Sequence, residues 1–421
     1  MGGVIGWRRG GVQRAACQET GQVVFGGRMA KIGIIGAGIG GLAAAALMAR
    51  RGHDVQVFDA FDAPRPIGSG LVIQPVGQSV LAEIGALDAA LAAGQKITRM
   101  SGHEADAGRM VLDVRYDLND PGNFGLAIHR ASLFDALYDA ALTEGAKVIC
   151  AHKAVSATAC VIRFEGARME RAFDLVVDAS GVNSAMSPLQ GRALPYGAIW
   201  GNVPWPDDSD LPRDELSQCY QRASRMIGAL PIGTPPNTDV PHAAIFWSLP
   251  EDSHAQWCAQ SLEVWKAEAT ALWPAFEPFL REVTTHNAMT MARYSHGTLL
   301  RPHRRGVAII GDAAHRASPQ LGQGANMALL DAQALCRAMK GNIGSEVLIA
   351  YERARRRHVW IYQAMSWAFT PQYQSDSRVL PWLRDRVFMP LSRVPPVPRI
   401  LSRLVCGDLT APLGRLTPRD R

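Results

Sequence analysis

Residues 31–41 read KIGIIGAGIGG, an apolar run that passes into a turn rich in glycine. The apolar part predicts a buried strand at 31–35, and residues 42–51 predict the helix that follows. A second short apolar run at 55–58 predicts the next strand, which Asp59 closes. A strand, a helix and a strand in this order indicate a doubly wound, Rossmann-like α/β domain.

The glycines of this turn have the spacing of a dinucleotide-binding motif. Gly36 permits a tight turn, Gly38 lets the backbone approach a pyrophosphate, and Gly41 lets the helix pack close to the strand. The N-terminus of that helix presents unpaired N–H groups to an anion. Asp59 stands at a strand end, where an acid suits a ribose diol. The alternative is a turn whose glycines serve packing alone.

A second glycine-rich stretch, residues 311–332, reads GDAAHRASPQLGQGANMALLDA. Asp312 follows a predicted strand at 307–310, where a carboxylate accepts hydrogen bonds from a polyol. Gly322 and Gly324 allow close approach to a flat ring, and a helix predicted at 326–339 aims its positive end at that place. Reduced flavin carries negative charge, so this arrangement suits it. The two stretches together predict one FAD held at both ends.

A simpler interpretation exists for three side chains of the second stretch. Asp312 and Asp331 are also explained as helix caps, and His315 taken alone is better explained as a core histidine. The spacing of the whole stretch favours the flavin site.

A chain of 421 residues exceeds the usual single core, so two domains are expected. Runs at 226–232 and 243–249 predict a hairpin in an antiparallel sheet inserted into the first domain. The predicted division is a disordered extension or mis-set start at 1–28, an FAD-binding domain at 29–187 and 298–345, a substrate domain at 188–297, and a C-terminal helical region at 346–421.

Composition excludes several classes of protein. The seven cysteines form no C-x-x-C pair, which argues against a disulfide framework or a metal cage and favours the cytoplasm. No uncharged apolar run predicts a membrane span, and the mild net charge of +6 predicts no nucleic-acid partner. The basic run 353–357 indicates a solvated helix face or, alternatively, a contact with an anionic lipid or an acidic partner, and the helices predicted at 379–405 suggest a peripheral contact with a membrane surface.

These motifs resemble those of the class A flavoprotein monooxygenases, the aromatic hydroxylases similar to para-hydroxybenzoate hydroxylase and salicylate hydroxylase. The resemblance runs from about Lys31 to the helix after Asp331. It implies that Arg130, in the sequence IHRASL, reaches FAD, and that residues 324–326 contact the isoalloxazine edge. The alternative for Arg130 is an exposed arginine at a helix N-terminus. The predicted FAD-binding residues are Gly36, Gly38, Ile39, Gly40, Gly41, Asp59, Gly70, Arg130, Asp312, Pro319, Gly322, Gly324, Ala325 and Asn326.

The resemblance also implies the activity. NADPH or NADH reduces the flavin, oxygen forms a flavin hydroperoxide, and an aromatic or quinone-like molecule is hydroxylated. No side chain is assigned as an acid or a base, because no paired constellation stands out. The predicted partners are a small aromatic substrate and oxygen, and the predicted state is a monomer or a homodimer.

One family motif departs from the pattern. The family has Ala-Asp-Gly followed by an arginine, whereas this chain has Ser180 and Ser187 at those two positions. The motif is associated with both FAD and reduced nicotinamide, so the departure bears on the electron donor. Asp178 either replaces the missing acid or caps the following turn, and the sequence leaves both open.

Substrate contacts are not fixed by a motif. Gln74 lies in a loop that resembles one near the flavin ring, and Trp200, Tyr220 and Trp247 are candidate pocket walls. Large aromatic residues in a sheet are more often part of the core. Two other flavin activities stay open, a reductase and a halogenase, although the halogenase motif Trp-x-Trp-x-Ile-Pro is absent. A non-catalytic FAD-binding protein is the remaining alternative.

Overall fold

The strand–turn–helix–strand unit at the start of the chain belongs to a six-stranded sheet that is parallel except at one edge. The computed structural model describes residues 29–63, 68–166, 170–339 and 343–414. The strands, in their order across the sheet, are β20 (His303–Arg304), β21 (Val307–Ile309), β12 (Leu175–Asp178), β1 (Lys31–Ile35), β2 (Asp54–Phe58) and β8 (Lys147–Ile149). The predicted doubly wound α/β class is confirmed.

Three helices pack closely on this sheet. They are α1 (Ile39–Ala49), α4 (Arg130–Thr143) and α8 (Gly324–Ala338). Every residue of α1 is buried, and most of them are glycine or alanine, which lets α8 approach α1 closely. The core on this face is therefore made of small side chains on α1 and larger ones on its neighbours.

A seven-stranded, largely antiparallel sheet forms the second layer. Its strands, in order, are β18 (Met289–Ala292), β14 (Tyr196–Pro204), β17 (His242–Pro250), β16 (Arg225–Pro231), β15 (Glu215–Gln221), β5 (Arg99–Glu104) and β6 (Met110–Arg115). The predicted hairpin at 226–249 is confirmed as β16 and β17. The last two strands come from before residue 188 and were not predicted. The division into domains at residues 188 and 297 stays a prediction.

The remaining strands form three small sheets. They are β3 (Gly70–Ile73), β4 (Gln95–Ile97), β7 (Gly125–His129), β9 (Ala154–Thr158), β10 (Val161–Phe164), β11 (Glu170–Ala172), β13 (Arg192–Ala193), β19 (Ser295–Thr298) and β22 (His315–Arg316).

Two helical stretches of the chain are interrupted. Residues 80–93 divide into α2 (Pro75–Ile84) and α3 (Leu87–Ala93), because Gly85 adopts a left-handed φ of 87° that ends the first helix. Residues 261–279 hold α6 (Leu262–Leu272) and the start of α7 (Glu277–Arg281), while α5 (His254–Ala259) precedes them.

The C-terminal region is helical, as expected. The long α9 (Ser345–Tyr373) leads into α10 (Val379–Leu383), a π-helical turn at Arg384–Phe388, α11 (Met389–Ser392) and α12 (Val397–Cys406). Within the described ranges, no helix is long and apolar enough to cross a membrane. The predicted extension at 1–28 lies outside the described residues.

Candidate functional site

The glycine turn after β1 is built so that the backbone itself fills the space. Gly36 has a left-handed φ of 99°, and a Cβ added there would lie 2.6 Å from the carbonyl oxygen of Ala179. A Cβ at Gly41 would lie only 1.9 Å from the carbonyl oxygen of Gly36. Around a Cβ at Gly38, by contrast, no described atom lies within 4 Å. The first and last glycines are therefore required by packing, and the middle one leaves room for a ligand.

Asp59 holds this turn in place. Its Oδ2 accepts a hydrogen bond of 2.8 Å from the backbone N–H of Ala37, and its Oδ1 accepts one of 3.0 Å from that of Phe61. The side chain is half-exposed, so each oxygen keeps capacity for a further donor. The predicted contact with a ribose stays a prediction, and the observed hydrogen bonds give Asp59 a positioning task as well.

The start of α8 forms the opposite end of the site. Gly322 adopts a left-handed φ of 60°, and α8 begins two residues later at Gly324, where an added Cβ would meet no described atom within 4 Å. The positive end of α8 is thereby open to the cavity.

Asn326 binds backbone around this turn. Its Nδ2 donates to the carbonyl oxygens of Val72 and Gly322, and its Oδ1 accepts from the N–H of Gln74. The side chain is fully buried. The amide of Asn326 therefore joins the start of α8 to β3 and α2, and is committed to those bonds.

A buried ion-pair network lies behind the second motif. Asp331 accepts hydrogen bonds from the N–H of Gly311, from Nε2 of His315 at 2.6 Å and from Nε of Arg355 at 2.7 Å. Burial raises the pKa of the Asp331 carboxyl, but the charges and hydrogen bonds of His315 and Arg355 outweigh that effect and lower the pKa to about 2. His315 is thus a satisfied core histidine, and Asp331 joins the strand end at Gly311 to α8 and α9.

The middle motif, in which Ser180 and Ser187 differ from the family pattern, is held by hydrogen bonds within the chain. Buried Asp178 accepts from the N–H and the Oγ of Ser180, and from the Oγ of Ser184 at 2.6 Å. Ser187 donates from its Oγ to the carbonyl oxygen of Ala313, at the second motif. Asp178 therefore caps the turn, which is one of the two alternatives that the sequence left open.

A cavity of about 940 Å³ joins these parts. Most of the predicted FAD-binding residues line it, namely Gly38, Ile39, Gly40, Gly70, Arg130, Asp312, Pro319, Gly322, Gly324 and Ala325. Gly36, Gly41, Asp59 and Asn326 lie behind this lining and shape it. Arg130 and Asp312 are exposed and line the cavity, where their charged ends can reach a ligand.

The far end of the cavity is apolar and aromatic. Trp200 and Tyr220 line it as predicted, together with Phe246. Trp200 donates from Nε1 to the hydroxyl oxygen of Tyr294 at 2.8 Å, and its ring centre lies 4.5 Å from that of Phe246. Tyr294 lines the cavity too, and burial raises the pKa of its hydroxyl.

Two predicted substrate residues lie elsewhere. Trp247 faces the other side of its strand, where its ring centre lies 6.1 Å from that of Trp265 and Arg225 stacks on it. Successive side chains of a strand alternate between its faces, so Phe246 lines the cavity and Trp247 does not. Gln74 is buried behind Gly322, whose added Cβ would lie 3.1 Å from Nε2 of Gln74. The pocket-wall interpretation of Trp247 is thus not supported by its position, and Gln74 backs the wall.

The C-terminal region supplies cavity walls that the sequence analysis missed. They include Met365, Phe369, Tyr373, Arg384, Phe388, Leu391 and Leu401. The sequence after residue 365 mixes large apolar residues with arginine. Without knowledge of the strands that pack against it, this mixture resembles an exposed amphipathic surface.

The residues present fit FAD. The long cavity meets two helix N-termini, at Ile39 and at Gly324, which suit the pyrophosphate and the negatively charged side of a reduced ring. The open spaces at Gly38 and Gly324 are where a side chain would obstruct a ligand. The exposed carboxylate of Asp312 is placed to accept hydrogen bonds from a polyol chain between them.

Comparison with known proteins agrees with this arrangement. The model of a family described as FAD binding domain matches residues 29–366. Hispidin-3-hydroxylase of Neonothopanus nambi is 27% identical over 401 residues, which cover 84% of this chain and 92% of that protein. 6-Hydroxynicotinate 3-monooxygenase of Bordetella bronchiseptica is 29% identical over 327 residues, which cover 73% of this chain and 82% of that protein.

A solved structure gives the same answer at the level of the fold. The crystal structure of Klebsiella pneumoniae HpxO complexed with FAD and uric acid superposes with a TM-score of 0.74 at 21% identity. The match covers 92% of this chain and 100% of that chain. At this identity the likeness shows a shared fold.

Proposed function

The chain belongs to the FAD-binding-domain family of class A flavoprotein monooxygenases, and we propose that it hydroxylates a small aromatic or quinone-like molecule with NADPH or NADH and molecular oxygen. Membership confirms the predicted FAD and the predicted class of FAD-dependent oxidoreductase. The single observation that carries the proposal is the continuous cavity, which runs from the two glycine motifs to an aromatic pocket.

At the cofactor end, the protein's own groups stabilise charge and hold the cofactor. When bound and reduced, FAD supplies the electrons that activate oxygen. The N-terminus of α8 at Gly324 stabilises negative charge at its end of the cavity. The folded protein already orients these N–H groups, so they need no reorganisation during the reaction. The carboxylate of Asp312 and the guanidinium of Arg130 offer an acceptor and a donor for holding the cofactor.

The aromatic end positions the substrate and excludes water. Trp200 and Phe246 offer flat faces for stacking, and the Trp200–Tyr294 hydrogen bond fixes the orientation of the indole. Tyr294 lines the cavity, and we propose that its hydroxyl donates to an oxygen of the substrate. Apolar walls from the C-terminal helices keep water from the reacting atoms. This favours transfer of oxygen to the substrate over reduction of oxygen without hydroxylation.

Anaerobic reduction of the flavin tests the proposal. The holoenzyme is mixed with NADPH or with NADH, across a panel of phenols and fused aromatics, and flavin bleaching is followed. We expect one nicotinamide to bleach the flavin, faster with a ligand that fits the cavity. A product that forms equally under argon and under air would favour a reductase, and a halogenated product would favour a halogenase. Protein that neither bleaches nor consumes oxygen would support a non-catalytic FAD-binding role.

Choice of nicotinamide stays a prediction. Ser180 and Ser187 are both engaged in internal hydrogen bonds, which gives them a local structural task in place of the charged groups usual in the family. Localisation in the cytoplasm and the monomeric or homodimeric state are likewise predictions.

Peripheral membrane contact is a further prediction, supported by the surface of the C-terminal region. Trp382, Leu391 and Val394 are 59%, 53% and 54% exposed, and the exposed Arg378 and Arg393 lie among them. Cations beside exposed apolar groups favour an anionic bilayer. We expect the protein to float with vesicles that contain phosphatidylglycerol at low salt, and flotation with neutral vesicles alone, or none at all, would count against the prediction.

A further inference from the structure

Arg384 is a buried cation in the cavity wall to which the functions described above assign no task. It begins the π-helical turn, is 2% exposed and lines the cavity. Its Cζ lies 5.1 Å from the ring centre of Tyr220 and 5.0 Å from that of Tyr373, and both rings line the cavity too. Single π-helical turns occur frequently at functional sites, where they aim a side chain that a regular helix would direct elsewhere.

Two of the three guanidinium nitrogens of Arg384 donate hydrogen bonds to described residues, and the third does not. Nε donates to Oδ1 of Asp385 at 2.6 Å, and Nη1 donates to the carbonyl oxygens of Arg222 and Gln372 at 3.1 and 2.9 Å. Nη2 is buried and has no hydrogen-bond partner among the described residues. A buried N–H of a charged group without an acceptor is destabilising, so an acceptor oxygen that enters at this wall gains a strong donor.

The charge of Arg384 is already balanced. Asp385 lies against it, and the side chain of Asp385 is only 11% exposed, so the pair is largely removed from water. A substrate carboxylate added here would leave a net negative charge beside apolar walls, and burying such a charge is unfavourable. A neutral oxygen, such as a ring carbonyl, satisfies Nη2 and leaves the charge unchanged.

We propose that Arg384 binds the substrate through a neutral acceptor oxygen, and that Arg384 and Asp385 together select aromatic molecules with a ring carbonyl over aromatic carboxylates. The inference rests on the proposed function in one respect, that the cavity accepts an aromatic substrate. Beyond that function, the substrate class is an aromatic molecule with a ring carbonyl, and Arg384 and Asp385 discriminate against aromatic carboxylates.

Binding to the oxidised holoenzyme, without a nicotinamide, tests this selectivity apart from turnover. Isothermal titration calorimetry at pH 7 compares three ligands of one ring system: 4-quinolone with a neutral carbonyl, quinoline without it, and quinoline-4-carboxylate with a negative charge. We expect 4-quinolone to bind about tenfold or more tightly than either of the others, the range of a hydrogen bond to a charged group. Equal or tighter binding of the carboxylate would overturn the proposal.

Two variants and one control substitution separate a binding role from a structural one. Arg384→Met is expected to abolish the preference for 4-quinolone over quinoline, while Arg386→Met, an exposed arginine of the same turn, is expected to retain it. Asp385→Asn removes the balancing charge, so the affinity for quinoline-4-carboxylate should rise about tenfold relative to 4-quinolone. An unchanged ratio in Asp385→Asn would overturn the role of charge, even if Arg384→Met failed to fold.

The two proposals fail separately. If 4-quinolone binds with the expected preference but no oxygenated product forms from any substrate, the proposed function is wrong and the selectivity of Arg384 stands. If the enzyme hydroxylates aromatic molecules and Arg384→Met leaves the ligand ratios unchanged, the selectivity proposal alone is wrong.

Discussion

The cofactor end of the cavity is built mainly from backbone, whereas the substrate end is built from side chains. The cofactor end is formed by glycines and two helix N-termini, and a methyl group added at Gly36 or Gly41 collides with main-chain atoms. At the substrate end, Trp200, Tyr220 and Arg384 come from separate elements that are far apart in the chain. The cofactor end therefore tolerates almost no change, and the substrate end can be altered to suit different ligands.

The largest effect is expected at the cofactor end, from Gly41→Ala. The new Cβ would lie 1.9 Å from the carbonyl oxygen of Gly36, so the turn and α1 must separate. We expect loss of FAD on gel filtration and destabilisation by more than about 4 kcal/mol, in the range of severe packing defects. Gly344→Ala is the matched control, since no described atom lies within 4 Å of its added Cβ. Retention of FAD by Gly41→Ala would show that the cofactor end is less rigid than described.

The network behind the cofactor end is next in size. Asp331→Asn leaves the fully buried Arg355 without its anion, and breaking a buried pair costs about 3–5 kcal/mol. The comparison is Glu165→Gln, whose ion pair with Lys153 is well exposed and contributes within about 1 kcal/mol. Chemical denaturation with the bound flavin signal as readout measures both. Equal effects of the two substitutions would contradict the structural role of the network.

Acid should loosen the contact between α9 and the end of α12 through His358. Burial first, and the charge of Arg355 second, lower the pKa of His358 to about 4, while its Nε2 lies 2.8 Å from the carbonyl oxygen of Gly407 in the C-terminal region. Between pH 6.5 and 4 the unfolded chain binds a proton that the folded chain does not, so stability falls as the pH falls.

The shift corresponds to about 3 kcal/mol lost between pH 7 and pH 4. His358→Gln should flatten that part of the stability profile, as measured by urea denaturation across the pH range. Asp331 affects stability at lower pH. Because its pKa is depressed, its contribution to the free energy of unfolding is present above pH 4 and is lost as the pH falls toward 2. An identical slope between pH 7 and 4 in the wild type and in His358→Gln would contradict the assignment.

The smallest effect is expected at the substrate end, from Trp200→Phe. The substitution keeps an aromatic face but loses the hydrogen bond to Tyr294. We expect KM for the substrate to rise a few-fold, about the worth of one neutral hydrogen bond, with FAD binding unchanged. Trp247→Phe is the control, because its ring lies on the other face of the sheet. A loss of FAD in Trp200→Phe would show that the two ends are not independent.

The difference between the two ends also explains what the sequence could predict. Gly36, Gly38 and Gly41 were found because a tight turn makes local demands that only glycine meets, and the second motif reports itself in the same way. The substrate end depends on strand pairing between distant segments, such as β15 with β5 in parallel, which no local pattern reveals.

Two residues illustrate the limit. Trp247 was a candidate pocket wall as a large aromatic residue of a predicted strand. Nearly all of β17 is buried on both faces, so alternation does not show which face meets the cavity. Arg384 was overlooked because Tyr220, one of the two rings that it packs against, lies far away in the chain. A buried arginine next to an aspartate looks like an exposed charged pair in the sequence.

Isotope labelling of the product tests the central claim most directly. The holoenzyme is reduced with the nicotinamide that bleaches it, in the presence of an aromatic substrate and ¹⁸O₂, and the product is analysed by mass spectrometry. A monooxygenase incorporates one labelled oxygen atom into the product and none from water. A product that forms without the label, or that forms equally without oxygen, would contradict the assignment of this cavity to oxygen transfer.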